Sequence, residues 1–514
     1  MAKTRTRAKP RSQNRSRASS NGSRKKASIK KVRRSSARVP VVRNTPAAEI
    51  RRIFELQKNA TRRMRLTTAA DRIRRLRALR DAIEARTPEL YEAMQADFRK
   101  SAREVDLTEI LPAISEINDA IKHLKRWMAP RKVGTPLPLF GASSEVVYEP
   151  RGVVLIISPW NYPFHLAAVP LVAALAAGNT VIMKPSEFTP RTSGFIRQIV
   201  ADVFPEDEAA VVEGDHTVSQ ELTALPFDHI FFTGSTAVGK IIMAAASKHL
   251  STVTLELGGK SPAVVREDAD MDLTATRILW GKGVNAGQTC VAPDYLLVPA
   301  DRRQEFIDHF SKKLSDFYGP TPEARRQSPD LCRIVNARHF QRLQDLLNDA
   351  LKRGARVAAG GNTDASENYI EPTLLVDVPL DAKIMQEEIF GPVLPVLSYG
   401  NINEALDLIN SRDKPLALYV FSTNRDEADY VIQHTSAGGT VINDVMVHLA
   451  NPSLPFGGVN HSGHGNYHGE FGFRALSHER AVLRQPKRSA ISLMYPPYTN
   501  FVRTMARLTK RFLV

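Results

Sequence analysis

The apolar positions of this chain follow two periods. Between residues 47 and 127 they recur at three-, four- and seven-residue steps. Leu76, Leu79, Ile83 and Leu90 fall on one face, with Arg and Glu between them. That spacing predicts a run of amphipathic helices. From residue 153 short apolar blocks take over. Residues 153–157, 180–183, 210–213, 229–232 and 253–257 read as strands, and 166–177, 193–203 and 237–249 as the helices between them. Buried strands separated by helices predict βαβ units and a parallel sheet covered on both faces. The alternation restarts after residue 257, with strands at 263–265, 295–298 and 373–376 and helices at 303–317 and 337–353. The Pro- and Gly-punctuated stretch 130–150 predicts extended strands, for example 144–148. The fold class is therefore α/β, with two doubly wound open-sheet domains in succession and a small β extension.

The longest apolar run, residues 166–177, contains Pro170 and is followed by Gly178. It is too short to span a bilayer and reads as a buried helix. Near the C-terminus Phe501, Val502, Met505, Leu508 and Phe512 share one helical face, with Arg503, Arg507, Lys510 and Arg511 elsewhere. A terminal helix docked on the body is the plain expectation for residues 491–514. A basic amphipathic helix lying on a membrane surface is the sharper one.

Charge changes the picture at one end only. The chain of 514 residues has 71 Lys and Arg against 54 Asp and Glu, a net charge of +17. By itself that suggests a nucleic-acid-binding protein. Residues 1–43 hold 16 of the basic residues and no acidic one, while residues 44–514 carry 55 basic against 54 acidic. The excess thus belongs to a Ser-, Arg- and Lys-rich tail, residues 1–46, which lacks the apolar surface to order itself. A solvated charge run, a polyanion-binding tail for nucleic acid or anionic membrane, and a transit peptide are its three readings. With only two cysteines, Cys290 and Cys332, a disulfide framework is excluded and a reducing, cytoplasmic setting is expected. No Cys/His spacing points to a metal site.

Three segments carry candidate chemistry. Phe232-Thr233-Gly234-Ser235-Thr236-Ala237-Val238-Gly239-Lys240 joins a strand to a helix. Glycines at such a turn let a backbone approach a phosphate at the helix N-terminus. A plain strand-to-helix turn is the alternative. Gly287-Gln288-Thr289-Cys290 places a thiol that is a strong nucleophile only when a base or local positive potential supports it. Glu256, at the end of an apolar strand, is costly to bury as a charge, so its pKa should rise, which suits a general base. Asn161, between Pro159 and Pro163, can donate a carboxamide hydrogen bond to an oxyanion. A buried Cys, a strand-end carboxylate and a turn Asn are the corresponding structural readings.

Taken together, the motifs resemble the aldehyde dehydrogenase superfamily over residues 51–484. They are Pro159-Trp160-Asn161-Tyr162-Pro163, Lys184-Pro185-Ser186-Glu187, Phe232-Thr233-Gly234-Ser235, Leu255-Glu256-Leu257-Gly258-Gly259-Lys260, Gly287-Gln288-Thr289-Cys290, Glu388-Ile389-Phe390-Gly391-Pro392 and Pro455-Phe456-Gly457-Gly458. The segments following Cys290 and Ser462 resemble the class 3 branch, which handles fatty and aromatic aldehydes. The resemblance implies a Rossmann-like NAD(P)-binding domain at 47–257 with an oligomerisation hairpin at 137–150. It also implies a catalytic domain at 258–445 and an active-site loop and oligomerisation segment at 446–490.

The resemblance also implies roles. Cys290 attacks the aldehyde, Asn161 and the Cys290 backbone N–H hold the oxyanion, and Glu256 activates the water that hydrolyses the thioester. Lys184 and Glu187 contact the adenine ribose. Trp160 and Ser235 contact the pyrophosphate beside the Gly234–Gly239 turn. Glu388 holds the nicotinamide ribose, and Phe390 packs beside the ring. The Glu187 carboxylate favours NAD, with NADP as the alternative. Tyr162, Trp280 and the C-terminal segment shape an apolar entrance, and Cys332 is structural. A homodimer is expected. The competing functions are a CoA-acylating dehydrogenase, which Glu256 argues against, and a polyanion-binding scaffold built on the same fold.

Overall fold

A computed structural model describes residues 43–136, 139–487, 491–492 and 495–512. The basic tail lies almost wholly outside the described residues. The chain meets the body by Asn44 and Thr45, which bond to Asp215, Thr217 and Glu213.

The helical period of the first hundred residues resolves into helices Ala47–Arg65, Ala69–Ala85, Thr87–Phe98 and Leu111–Trp127. Thr68 starts the second of these through a reciprocal capping box with Asp71. Between Phe98 and Leu111 the regular period fails. A one-turn helix, Ala102–Val105, runs into a π-turn, Asp106–Ile110. π-turns add a residue to a helix and re-aim its side chains.

Two sheets follow in succession, as the alternation predicts. The first has six strands in the order Gly463–His464, Thr252–Glu256, His229–Thr233, Val153–Ile157, Thr180–Lys184, Ala209–Val211. All pair in parallel except Gly463–His464, which returns from far along the chain and runs antiparallel to Thr252–Glu256. The second has seven strands in the order Arg356–Ala359, Thr373–Val376, Val393–Tyr399, Tyr295–Pro299, Pro262–Val265, Ala417–Phe421, Gly439–Ile442. Only its Arg356–Ala359 edge is antiparallel. The helix His165–Ala177 is buried on every side, as an apolar crossover under a sheet must be. It ends at Gly178 (φ 89°), where a left-handed residue stops the helix.

The β extension is a three-stranded antiparallel sheet of Arg131–Val133, Ser143–Pro150 and Ser477–Arg484. Leu137 and Pro138 of the expected hairpin lie outside the described residues. Among the described residues no helix is long and apolar enough to cross a membrane. The C-terminal helix, Asn500–Phe512, exposes Phe501, Met505 and Leu508.

Candidate active site

Parallel strands deliver their functional groups from the loops at their carboxyl ends. Here Val153–Ile157 leads to Trp160 and Asn161, Thr180–Lys184 ends on Lys184, His229–Thr233 leads to Gly234 and Ser235, and Thr252–Glu256 ends on Glu256. The second sheet brings Cys290 just ahead of Tyr295–Pro299, and Glu388 and Phe390 just ahead of Val393–Tyr399.

Cys290 follows an unusual turn. Helix Met271–Gly283 gives way to Asn285 (φ 52°), Ala286 (φ 50°) and Gly287 (φ 68°), three consecutive residues in the left-handed region. Such a run is costly for residues other than glycine and persists only when its surroundings fix it. At Gly287 no side chain fits, because a Cβ would stand 2.4 Å from the Gly391 carbonyl oxygen. Asn161 is buried, and its Nδ2 donates to the Gln288 carbonyl at 3.0 Å. Asn285 Nδ2 donates to the same carbonyl at 3.0 Å and to the Asn161 carbonyl at 2.8 Å. The two candidate oxyanion donors are thereby tied to one another: Asn161 is held against the turn that carries the Cys290 backbone.

The electrostatics of the site come from burial. Glu256 is buried, and neither of its carboxylate oxygens has a hydrogen-bond partner among the described residues. Burial pushes its pKa well above the usual carboxylate range. The cover comes in part from the returning strand, where Gly463 pairs with Glu256 across the sheet edge. The half-buried Cys290 is a free thiol. Its pKa is pushed up to about 12 by burial, then by the charges of Glu388 and Glu256. Both carboxylates therefore lie within electrostatic reach of the thiol. Burial raises the pKa of Tyr467, and Glu256 and Cys290 add to the shift.

On the cofactor side, Lys184 is buried and its Nζ donates to Glu187 Oε2 at 3.0 Å. Ser235 is exposed and caps helix Thr236–Ser247 by accepting from the Val238 N–H. Trp160 stacks at 4.7 Å on His339 and meets Phe390 edge-on at 5.3 Å, so its ring joins residues of both sheets. Glu388 is pushed up to about 8 by burial and by Asp294. Its carboxylate lies over Gly258, where a Cβ would come within 2.2 Å of Oε2.

A nicotinamide dinucleotide fits this donor set. An open helix N-terminus suits a pyrophosphate, a Lys–Glu pair at a strand end suits ribose hydroxyls, and a glycine leaves room beside the Glu388 carboxylate. Gly239 is buried, and a Cβ there would stand 2.6 Å from Leu257 Cδ2, so it lets the helix lie close on Leu257. Gly234, five residues earlier, leaves room for the Phe232 ring, which a Cβ would approach to within 2.5 Å.

Tyr162, expected at the substrate entrance, lies beside the nucleophile turn. It is buried, and its hydroxyl is within 2.7 Å of Thr289 Oγ1. Trp280 remains 39% exposed, open to such a role. Cys332 is buried beside Asn285. Several residues of the site carry no motif that singles them out. Lys282 is buried with no hydrogen-bond partner for its Nζ among the described residues. Its pKa is lowered to about 8 by burial, in the field of Asp294, Lys260 and Glu388. Its place eight residues before Cys290, on a helix whose other interior residues are apolar or small, was the available signal.

Comparison with known proteins agrees with this geometry. The pattern of the aldehyde dehydrogenase family matches residues 21–482. A 4,4'-diaponeurosporen-aldehyde dehydrogenase of Staphylococcus aureus is 47% identical over 82% of this chain and 91% of its own length. Aldehyde dehydrogenase family 3 member A2 of Mus musculus is 45% identical over 83% of this chain and 87% of its own. The solved structure of Staphylococcus aureus AldH in a substrate-bound state superposes with a TM-score of 0.86 at 44% identity, covering 89% of this chain and 99% of that one.

Proposed function

The chain belongs to the aldehyde dehydrogenase family and is an NAD(P)-dependent aldehyde dehydrogenase, and we propose that it oxidises a fatty or aromatic aldehyde to the carboxylic acid through Cys290 and Glu256. The observation that carries this reading is the pairing of a thiol with a buried, unpartnered carboxylate at one site. When bound, the cofactor supplies the hydride acceptor and a positive charge.

The residues of the chain do the rest. The Cys290 thiol gives up its proton, by way of Glu256 to solvent, as Sγ forms a bond to the carbonyl carbon, and the carbonyl oxygen becomes an oxyanion. The Asn161 amide has one N–H committed to Gln288. Its second N–H and the Cys290 backbone N–H are the donors for that oxyanion. Fixed donors in a water-poor site are worth far more than in solvent. After oxidation the acyl group is held on Cys290 as a thioester. Glu256, made more basic by burial, takes a proton from water as the water oxygen attacks the thioester carbon. The C–S bond breaks, and the acid leaves. Lys184 and Glu187 bind the adenine ribose, Ser235 and Trp160 border the pyrophosphate, and Glu388 and Phe390 border the nicotinamide ribose and ring. Glu187 favours NAD over NADP.

An apolar aldehyde is favoured by the relative named for 4,4'-diaponeurosporen-aldehyde. The same reading includes a homodimer. Arg131–Val133 and Ser477–Arg484 are the two edges of the three-stranded sheet, and unpaired edges are natural pairing surfaces. It also places the enzyme in the cytoplasm, with the basic tail as a candidate contact with nucleic acid or anionic membrane and the C-terminal helix as a second one with membrane. Light scattering of the full chain, and salt-dependent binding to RNA and anionic vesicles, check these two points. The deciding assay for the reaction is aldehyde-dependent formation of reduced cofactor without CoA. Full dependence on CoA would replace hydrolysis by acyl transfer.

A further inference from the structure

A cluster of buried charges lies behind the nucleophile turn, on residues that carry none of the family motifs. Lys100 is fully buried, and its Nζ pairs with Glu109 Oε1 at 2.8 Å. Glu109 Oε2 accepts the backbone N–H of His165 at 2.8 Å. The Lys100 ammonium stands 4.2 Å from the centre of the Tyr162 ring. The Tyr162 hydroxyl bonds Thr289 Oγ1, the residue immediately before Cys290. A second line starts at Glu104, on the one-turn helix that the π-turn continues. Its Oε1 accepts the backbone N–H of Asn285 at 2.6 Å. Asn285 is the first of the three left-handed residues, and its side chain binds the Asn161 and Gln288 carbonyls. Asp330 is the other carboxylate close enough to act on Glu104.

The two lines therefore end on Gln288 and Thr289 and on the backbone of Asn161. Burying a lysine with two carboxylates does not favour folding over a well-packed apolar cluster, because desolvation offsets the attraction. What it supplies here is direction. A carboxylate aimed at the Asn285 N–H holds a left-handed residue that the chain would otherwise leave, and a cation over the Tyr162 ring holds the hydroxyl at Thr289. We propose that Glu104 and Tyr162 are positioning residues, which fix the Asn285–Cys290 turn relative to the Asn161 amide. The proposal rests on the assignment of Cys290 as nucleophile and Asn161 as oxyanion donor. Glu104 and Tyr162 act through the turn and not on the reacting atoms. Each sets where they stand.

The test compares Glu104→Ala, Glu104→Gln and Tyr162→Phe with wild type and Cys290→Ala in steady-state aldehyde oxidation. A displacement of the reacting groups by about 1 Å costs about 100-fold in rate. Glu104→Ala should lower kcat by about 10- to 100-fold with KM for cofactor unchanged within about threefold. Glu104→Gln keeps an oxygen that accepts the Asn285 N–H, and should recover kcat to within about threefold of wild type. Tyr162→Phe keeps the ring under Lys100 but loses the bond to Thr289, and should lower kcat with the same pattern. Wild-type kcat in both Glu104→Ala and Tyr162→Phe overturns the proposal. So does a Glu104→Gln variant as slow as Glu104→Ala, since charge rather than the hydrogen bond would then be the agent. If Glu104→Ala does not fold, Tyr162→Phe decides alone: slowed turnover supports the proposal and wild-type turnover overturns it. An active Cys290→Ala would instead refute the assignment of the nucleophile, a separate failure.

Discussion

The Asn161 side chain donates a 3.0 Å hydrogen bond to the carbonyl of Gln288, two residues before Cys290. A donor expected to face an oxyanion is thus anchored to the backbone that presents the nucleophile. One N–H fixes the amide and the other is left for the reaction. Replacing Asn161 by Ala removes both. The expected result is a fall in kcat of about 100- to 1,000-fold, the usual cost of losing an oxyanion donor. Steady-state kinetics check it, with cofactor affinity as the control that should not move.

The resting thiol should be a poor nucleophile. Burial and the two carboxylates push Cys290 up to about 12. Its thiolate fraction then rises tenfold for each pH unit throughout the range below that value. Alkylation by iodoacetamide of the cofactor-free enzyme should rise with pH without a plateau up to about pH 10. Mass spectrometry locates the adduct, since Cys332 is buried. Replacing Glu388 by Gln removes one of the raising charges and should speed the reaction above about pH 8, where Glu388 is ionised, with little effect at lower pH. A plateau below pH 8 in wild type would contradict this picture of the site.

Gly258 leaves room for the Glu388 carboxylate. With a Cβ built at 2.2 Å from Oε2, Gly258→Ala must push that side chain aside. If Glu388 holds the nicotinamide ribose, KM for the cofactor rises by about 10-fold while the aldehyde KM changes little, the size expected for one charge-assisted hydrogen bond. Initial-rate kinetics over both substrates separate the two.

Lys282 and Glu256 should both cost the fold stability, over different pH ranges. The pKa of Lys282 is lowered in the fold to about 8 from an ordinary 10.5. Below about 8 the charged amine is buried at full cost, and between about 8 and 10.5 the cost fades as the folded state sheds the proton first. Lys282→Met should therefore raise the melting temperature at pH 7 by about 2–4 °C. The gain should shrink as pH approaches 10.5. The pKa of Glu256 is raised in the fold. Its cost is absent below its unfolded value of 4.5 and grows as pH rises above that value, where the unfolded chain gives up the proton first. Glu256→Gln should be more heat-stable than wild type at neutral pH and equal to it in acid. Calorimetry across pH checks both signs.

Most of the parallel sheet framework was legible because its strands are short apolar blocks, buried on both faces. Of the antiparallel additions, only the strands of the 130–150 stretch were. Ser477–Arg484 is largely exposed and its sequence is mostly polar, so its pairing with Ser143–Pro150 is set by tertiary contact rather than by pattern. Val393–Tyr399 and Ala417–Phe421 are largely buried blocks of the right kind, but Pro392 before the first, Pro395 within it and Pro415 before the second break the local signal. At the site, the motif residues at strand ends were legible. The packing of Gly239 against Leu257 was not, because a glycine that packs a helix closely and one that admits a phosphate look alike in sequence. Lys100, Glu104 and Glu109 lie in a charged stretch that reads as a solvated helix face. Glu109 is turned inward within the π-turn, and Lys100 and Glu104 lie in the irregular segment before it, which no residue pattern announces.

The hydrolytic role of Glu256 is the centre of the account, and a rapid-mixing measurement on Glu256→Gln tests it most directly. Without CoA, the variant should form about one equivalent of reduced cofactor per active site in a fast phase and then turn over at least about 100-fold more slowly than wild type, the scale of a lost general base. Acid quenching should recover the acyl group on Cys290. A Glu256→Gln enzyme that kept the wild-type steady-state rate, with no burst and no acyl-enzyme, would contradict it.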